Sequence, residues 1–408
     1  MPGPRWWSMS EIYIIGIDGS ELPARHKELL RRCSLILTSS RLAAFVGDSL
    51  AEVRPITPLD QAFTKIAEVI PSGNIAVLAS GDPLFFGIGT RIIERFGRER
   101  VRVFPALSSL QQAFARFGMG WHDAAVVSLH GRTAQHIPGL LLARRKTFIF
   151  TDRRHSPNRI AASILEYLHL IGEENIRKNC RLHVAENLGS AQEKISSGSL
   201  DEIAGMRCGD LNVLCVLLPE IPERPVFGLY EDEISHSRGL ITKDEVRAAT
   251  LHRLRLPRRG VFWDIGGGSG SISMEAAAMH RELEVYTVEH NGAELENIKE
   301  NIRRFSLFNI IPVAGRAADM IGALPDPDAV FVGGSGGELE SIIRESASRL
   351  HKGGRLIVNG VTARTTEEAP ALMGAQGMTV TSSTIEVTRT GPDGPLGFNP
   401  ITIMVGRK

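Results

Sequence analysis

Short apolar runs of strand length alternate with segments whose apolar positions recur every three or four residues, along almost the whole chain. In the first half the runs are 12–17, 34–38, 75–80, 101–104, 125–130, 147–150, 182–187 and 211–219. Leu84, Ile88, Ile92 and Phe96 fall on one face at a spacing of four, which predicts a helix over 84–96. Alternation of this kind predicts an α/β fold with mainly parallel sheets. The stretch PEIPERPVFGLYEDE (219–233) interrupts the pattern. Pro219, Pro222 and Pro225 can neither donate to a ladder nor continue a helix. A domain boundary is therefore expected near 222–232, giving domains 1–222 and 223–408. The second half restarts with strands 261–265, 285–289, 310–314, 329–333 and 355–359, and helices 273–280, 292–304 and 338–350. The late runs 384–388 and 401–405 flank the turn-rich GPDGPLGFNP and predict a hairpin that closes the sheet. The C-terminal domain thus reads as a Rossmann-like, doubly wound sheet with an antiparallel edge.

Composition narrows the class. Of 408 residues, 43% are hydrophobic and 23% charged, which excludes wholesale disorder. Basic and acidic residues number 47 and 46, a net charge of +1. A nucleic-acid partner would call for a basic excess, so none is expected. No window approaches the roughly 18 uninterrupted apolar residues of a membrane span. The first ten residues, MPGPRWWSMS, hold no apolar core of signal-peptide length, and Met9 offers a second start. A cytoplasmic protein is expected. The four cysteines are scattered and form no C-x-x-C pair, so neither a disulfide framework nor a zinc site is expected. Cys33 and Cys215 lie in apolar runs and read as buried thiols.

The strongest chemical signal is Asp264-Ile265-Gly266-Gly267-Gly268-Ser269-Gly270, between a strand and a helix. Gly266, Gly268 and Gly270 allow a tight turn and close approach of a ligand, and the helix behind offers free N–H groups. Glu289 ends the next strand, where an acid takes ribose hydroxyls. A dinucleotide site wants G-x-G-x-x-G; the spacing here is G-x-G-x-G, which favours S-adenosylmethionine, with Asp264 as the preceding acid. A structural β–α turn is the plain alternative. A second glycine turn, Gly333-Gly334-Ser335-Gly336-Gly337, matches the G-x-S-x-G nucleophile elbow of hydrolases. A triad would then need His351, the only later histidine, at the end of the next helix. We read Gly333, Gly334, Ser335 and Gly336 instead as lining the cleft beside cofactor and substrate.

In the first half, Gly81-Asp82-Pro83-Leu84 leaves a buried-type strand, with Asp82 placed to cap a helix and Pro83 at its first position. Ser108 and Ser109 follow the next strand and read as caps of another helix. Two such turns in neighbouring units make a cleft.

These residues carry a resemblance. The first half resembles the tetrapyrrole (corrin/porphyrin) methylase family through IYIIGIDG, LASGDPLFFGIG (78–89), FPALSSLQQAFARFG (104–118), VAENLG (184–189) and LNVLCVLL. The second half resembles the family that methylates and decarboxylates the same macrocycle. Its matching pieces are GLITKDEVRA (239–248), DIGGGSGSISMEAA (264–277), VFVGGSGG (330–337) and GGRLIVNGVT (353–362). The resemblance implies a two-lobed N-terminal domain methylating C-5 and a C-terminal domain methylating C-15 with loss of a ring-C acetate carboxyl. It implies S-adenosylmethionine as cofactor, a precorrin or cobalt-precorrin substrate in vitamin B12 synthesis, and a homo-oligomer. Gly81, Asp82, Pro83, Leu84, Ser108, Ser109, Thr242, Asp264, Gly266, Gly268, Gly270, Glu289, Arg316 and Ala317 are the implied cofactor contacts. No metal ligand or catalytic dyad is implied. Thr242 resembles part of a lid, or else caps a helix with Glu245 three residues on. Two places differ from the families. Gly16–Ser20 is one glycine poorer than the usual G-x-G-P-G, and Arg316 stands where an acid is usual. A first domain that binds the macrocycle without catalysis stays open as the second reading, and an RNA or protein methyltransferase as a third. Arg132, Arg153, Arg154, Arg238 and Arg364 are candidates to hold substrate carboxylates, against the plainer reading of solvated surface arginines. His130 and His155 sit at strand ends, where a structural histidine is the plainer reading.

Overall fold

The computed structural model describes residues 10–129, 136–220, 225–237, 239, 241–392 and 394–408. The expected boundary at 222 falls outside the described residues. Strands β1 (Ile12–Ile17), β2 (Cys33–Thr38), β3 (Glu52–Pro55), β4 (Asn74–Ser80) and β5 (Val101–Phe104) form a parallel sheet in the order β3-β2-β4-β1-β5. All six residues of β1 are buried, because apolar clusters cover both faces. That is why its sequence is a continuous apolar run.

A second lobe holds β6 (Ala125–Ser128), β7 (Lys146–Phe150), β8 (Arg181–Glu186), β9 (Lys194–Gly198) and β10 (Asn212–Leu217), ordered β6-β7-β10-β8-β9. Here the expectation of mainly parallel pairing fails. Only β6 and β7 pair in parallel, and the remaining ladders are antiparallel. Edge strands β3 and β9 have mostly exposed residues and therefore no apolar run to reveal them.

The third sheet contains β11 (Arg259–Ile265), β12 (Glu282–Glu289), β13 (Ile310–Ala314), β14 (Ala329–Val332), β15 (Arg355–Gly360) and β16 (Thr379–Ile385). A small hairpin, β17 (Thr388–Gly391) and β18 (Gly394–Gly397), precedes β19 (Ile401–Arg407). The order is β13-β12-β11-β14-β15-β19-β16, with β19 antiparallel to both neighbours, so the antiparallel edge is as expected. Strand order reverses at β11, between β12 and β14, where doubly wound sheets open a ligand crevice at their carboxyl ends.

The predicted helix over 84–96 is shorter, spanning Gly89–Phe96. Asp82 does not cap it. Its Oδ1 accepts the Leu84 N–H at 2.9 Å in a local turn, Phe86 is left-handed at φ 54°, and the Gly89 N–H reaches back to the Pro83 carbonyl. Leu84 is therefore exposed rather than on an apolar helix face. The helix Asp244–Leu254 is preceded by Lys243, not capped by Thr242, whose carbonyl instead accepts from Arg247.

The second lobe and the third sheet share one continuous apolar cluster. The Tyr167 hydroxyl donates to the Ile310 carbonyl at 2.7 Å, and His136 Nε2 donates to the Phe308 carbonyl at 2.8 Å. Among the described residues, no helix is long and apolar enough to cross a membrane.

Candidate functional site

Two clefts gather the glycine turns. The first is a cavity of about 640 Å³ between the two N-terminal lobes, within the usual range for small-molecule sites. One wall is made by the ends of β1 and β4. Their register pairs Ile17 with Ser80, and the Gly81 N–H continues the ladder by donating to the Ile17 carbonyl at 2.7 Å. Of the residues expected in this half, Gly81 and Ser109 line the cavity, whereas Asp82, Pro83, Leu84 and Ser108 do not. Ser108 is the N-cap of the helix Ser109–Phe117, in a reciprocal box with Gln111. It thereby fixes the direction in which Ser109 leaves the strand end.

The opposite wall was not assigned from sequence. It comprises Asn187–Ser190 after β8 and Leu211–Val213 at the start of β10. Both belong to matched stretches but contain no charged residue to mark them. Arg41, Phe45 and Phe150 are also in the lining. Asp18 and Gly19, from the loop that differs from the family pattern, also line it. A Cβ at Gly19 would overlap the Gly189 backbone, and one at Gly189 would overlap the Asp18 carbonyl. The lobes touch at this point because neither glycine has a side chain.

The second cleft, of about 180 Å³, lies at the carboxyl ends of β11, β12 and β14. Gly266, Glu289, Arg316, Ala317, Gly334, Ser335 and Gly336 line it together. The sheet thus unites turns 68 residues apart in sequence (334 − 266). Gly266 abuts the Gly334 backbone so closely that a Cβ there would collide with it, and Gly266 is left-handed at φ 66°. The Glu289 carboxylate is pinned by three backbone donors: Gly268 N–H at 2.9 Å on one oxygen, and His290 and Asn291 N–H at 2.8 Å each on the other. Such bonds fix the direction of the carboxylate. Gly270 caps the helix Ser271–Met279 in the left-handed conformation.

Asp264 lies beneath the cleft rather than in it. It is fully buried; Oδ2 accepts from Ser273 Oγ at 2.5 Å, while Oδ1 has no partner among the described residues. Burial pushes its carboxyl up to about 7. Arg316 supplies a cation where the family has an acid, yet an acid is present: Glu338 lines the same cleft and pairs with Arg316 at 2.7 Å. Thr242, Gly268, Gly270 and Gly333 are not among the lining residues; Gly268 instead holds Glu289, and Gly270 caps the helix behind.

The hydrolase reading of Ser335 fails on topology. Ser335 follows the carboxyl end of β14, whereas His351 bonds to Asp328, just before that strand's amino end. The four residues of β14 stand between them. Arg153 and Arg364 are exposed and paired with Asp210 and Glu368. Neither they nor Arg154 lines either cleft. His155 is held by Asp152 at 3.0 Å, as a structural histidine would be. His130, Arg132 and Arg238 lie outside the described residues.

Two family models match separate parts of the chain. Residues 11–204 match the family model for tetrapyrrole (corrin/porphyrin) methylases, and residues 233–402 that for a precorrin methyltransferase domain. The precorrin-6Y C(5,15)-methyltransferase [decarboxylating] of Sinorhizobium sp is 32% identical over 352 residues, covering 85% of this chain and 82% of that protein. Salmonella typhimurium has two shorter relatives. Its cobalt-precorrin-6B C(15)-methyltransferase (decarboxylating) is 42% identical over 29% of this chain and 60% of its own length. Its cobalt-precorrin-7 C(5)-methyltransferase is 40% identical over 27% of this chain and 56% of its own length.

Proposed function

Because the chain belongs to the precorrin-6Y C(5,15)-methyltransferase (decarboxylating) family, we propose that it methylates one contracted tetrapyrrole at C-5 and C-15 and removes a ring-C acetate carboxyl, in cobalamin biosynthesis. The substrate is precorrin-6Y or its cobalt form. Residues 1–222 are assigned the C-5 transfer, and residues 223–408 the C-15 transfer with decarboxylation. The observation that carries this reading is the presence of two separate glycine-walled clefts in one chain. That Salmonella typhimurium relatives are named for each transfer separately supports the same division. A first domain reduced to macrocycle binding is not favoured, since relatives matching most of the chain are named for both transfers.

S-Adenosylmethionine, when bound, supplies an electrophilic methyl group. The residues present fit it. In the second cleft, the anchored Glu289 side chain offers oxygen acceptors for ribose hydroxyls. Beside the cleft, Gly268 has open space where a Cβ would stand, so a ligand can lie against the backbone there. In the first cleft, Gly81 and Ser109 offer the equivalent wall. The second cleft, at about 180 Å³, is smaller than a typical whole-ligand pocket, so it holds part of the cofactor only.

The acceptor carbons of such a macrocycle are enamine-like and need placement more than a strong base. Correct alignment is worth several kcal/mol. The glycine contacts supply that alignment by fixing the cleft walls. When CO2 leaves, the carbon–carbon bonding pair passes into the conjugated macrocycle, and the cleft's part is to strip water from the departing carboxylate.

Calorimetric titration of S-adenosylhomocysteine into the intact chain tests this reading. Two sites per chain are expected, and one in Gly266→Ala. Mass spectrometry of turnover products should show two methyl groups gained and one carboxyl lost; in Gly266→Ala the C-15 change and the decarboxylation should disappear together. A single site in the parent protein overturns the assignment.

A further inference from the structure

We propose that Arg41 pairs with a ligand carboxylate inside the interlobe cavity and so selects the acidic ligand of the first site. This deepens the two-site methyltransferase reading and rests on it.

Arg41 follows β2, in the turn Ser40–Val46, beside the strand that ends at Ser80 and Gly81. It is the one basic side chain among the residues lining the cavity. The lining acid, Asp18, is committed elsewhere: one carboxylate oxygen accepts from the Ser20 N–H at 3.0 Å and from the Ser20 hydroxyl at 2.5 Å. Arg41 donates to the Ser80 hydroxyl and forms no ion pair among the described residues. Arginines such as Arg31, Arg116 and Arg153, by contrast, each hold a surface carboxylate.

Arg41 is exposed at the edge of the cavity, and the protein packed around its guanidinium still lowers its pKa through desolvation. A guanidinium that has no ion-pair partner suits a carboxylate, because its planar fork matches both oxygens. The bond to Ser80 holds one end of that fork in advance, which reduces the ordering cost of binding. The aromatic walls from Phe45 and Phe150 suit the apolar face of a ligand that carries acids at its rim.

Two carboxylates reach such a site: those of the macrocycle's side chains and that of the amino-acid end of the methyl donor. Both are tested with the intact chain, using precorrin-6Y turnover and S-adenosylhomocysteine calorimetry in the parent, Arg41→Gln and Arg41→Lys. If Arg41 holds the macrocycle, Arg41→Gln raises KM of the C-5 transfer about tenfold or more, with kcat little changed and Arg41→Lys restoring part of the loss. If it holds the donor, the first-site affinity for S-adenosylhomocysteine falls about tenfold instead. The C-15 transfer by the same molecule stays unchanged in either case and reports that the variant is folded. KM and affinity both within about twofold of the parent would overturn the Arg41 assignment alone. Absence of any C-5 methylation by the parent would overturn the two-site reading, and the Arg41 assignment with it.

Discussion

At Gly19 and Gly189 the lack of a side chain lets loops from two lobes meet at the end of a cavity. Gly189→Ala should push the lobes apart and abolish most C-5 methylation while leaving C-15 methylation intact, as product mass spectrometry would show. Equal loss of both would mean a global defect instead. Asp264 makes a different kind of residue-scale statement. Its carboxyl ordinarily titrates near 3.8, and burial raises it to about 7. The unfolded chain thus releases this proton at lower pH than the folded one. The associated stability is fully present below 3.8 and is lost as pH rises toward 7. Asp264→Asn removes that dependence. Relative to the parent it should gain stability between pH 4 and pH 7, by roughly 1.4 kcal/mol per unit at most, measured by urea unfolding. Parallel profiles for the two proteins would contradict the assignment. Asp264 and Glu289 were legible in the sequence as the acids of a glycine turn. Their opposite situations, one sealed below the cleft and the other anchored in its wall, were not.

At the scale of elements, the helix Pro157–Ile171 and the segment after His136 pack against the third sheet through directed bonds to the Ile310 and Phe308 carbonyls. Tyr167→Phe should cost about 1 kcal/mol, seen as a lower unfolding midpoint, because the Ile310 carbonyl loses its donor. His136 adds a pH dependence with the opposite sign to that of Asp264. Burial lowers its pKa from 6.5 to about 4, so its contribution is present above 6.5 and is lost as pH falls toward 4. His136→Gln should flatten the acid limb of the stability profile, and an unchanged limb would exclude His136 as its source. Element prediction succeeded where burial imposed a sustained apolar run, as at β1, β11 and β12. It failed over 84–88, where a spacing of four arose in a chain that turns.

Across the whole molecule, the apolar cluster that runs from the second lobe into the third sheet joins the two catalytic assignments mechanically. Cutting the chain near 228 would expose apolar area on both pieces, at about 25 cal/mol per Å². The expected outcome is that co-expressed pieces purify together and that each alone aggregates or binds a hydrophobic dye. Two well-behaved monomeric pieces would show that the cluster is not a stabilising interface. The proline-rich stretch marked a plausible joint in the chain, but no sequence period marked which surfaces close against each other.

The order of the buried strands and the glycine turns that follow them were determined by sequence alone, because each depends on residues within one turn or one strand of each other. The tertiary structure decided what depends on distant partners. It brought Gly266 against Gly334 and Gly19 against Gly189, supplied Glu338 beside Arg316, and placed Arg41 in a cavity wall. It also made the second lobe mostly antiparallel, since pairing direction depends on how the chain returns between strands and not on the apolar pattern within them.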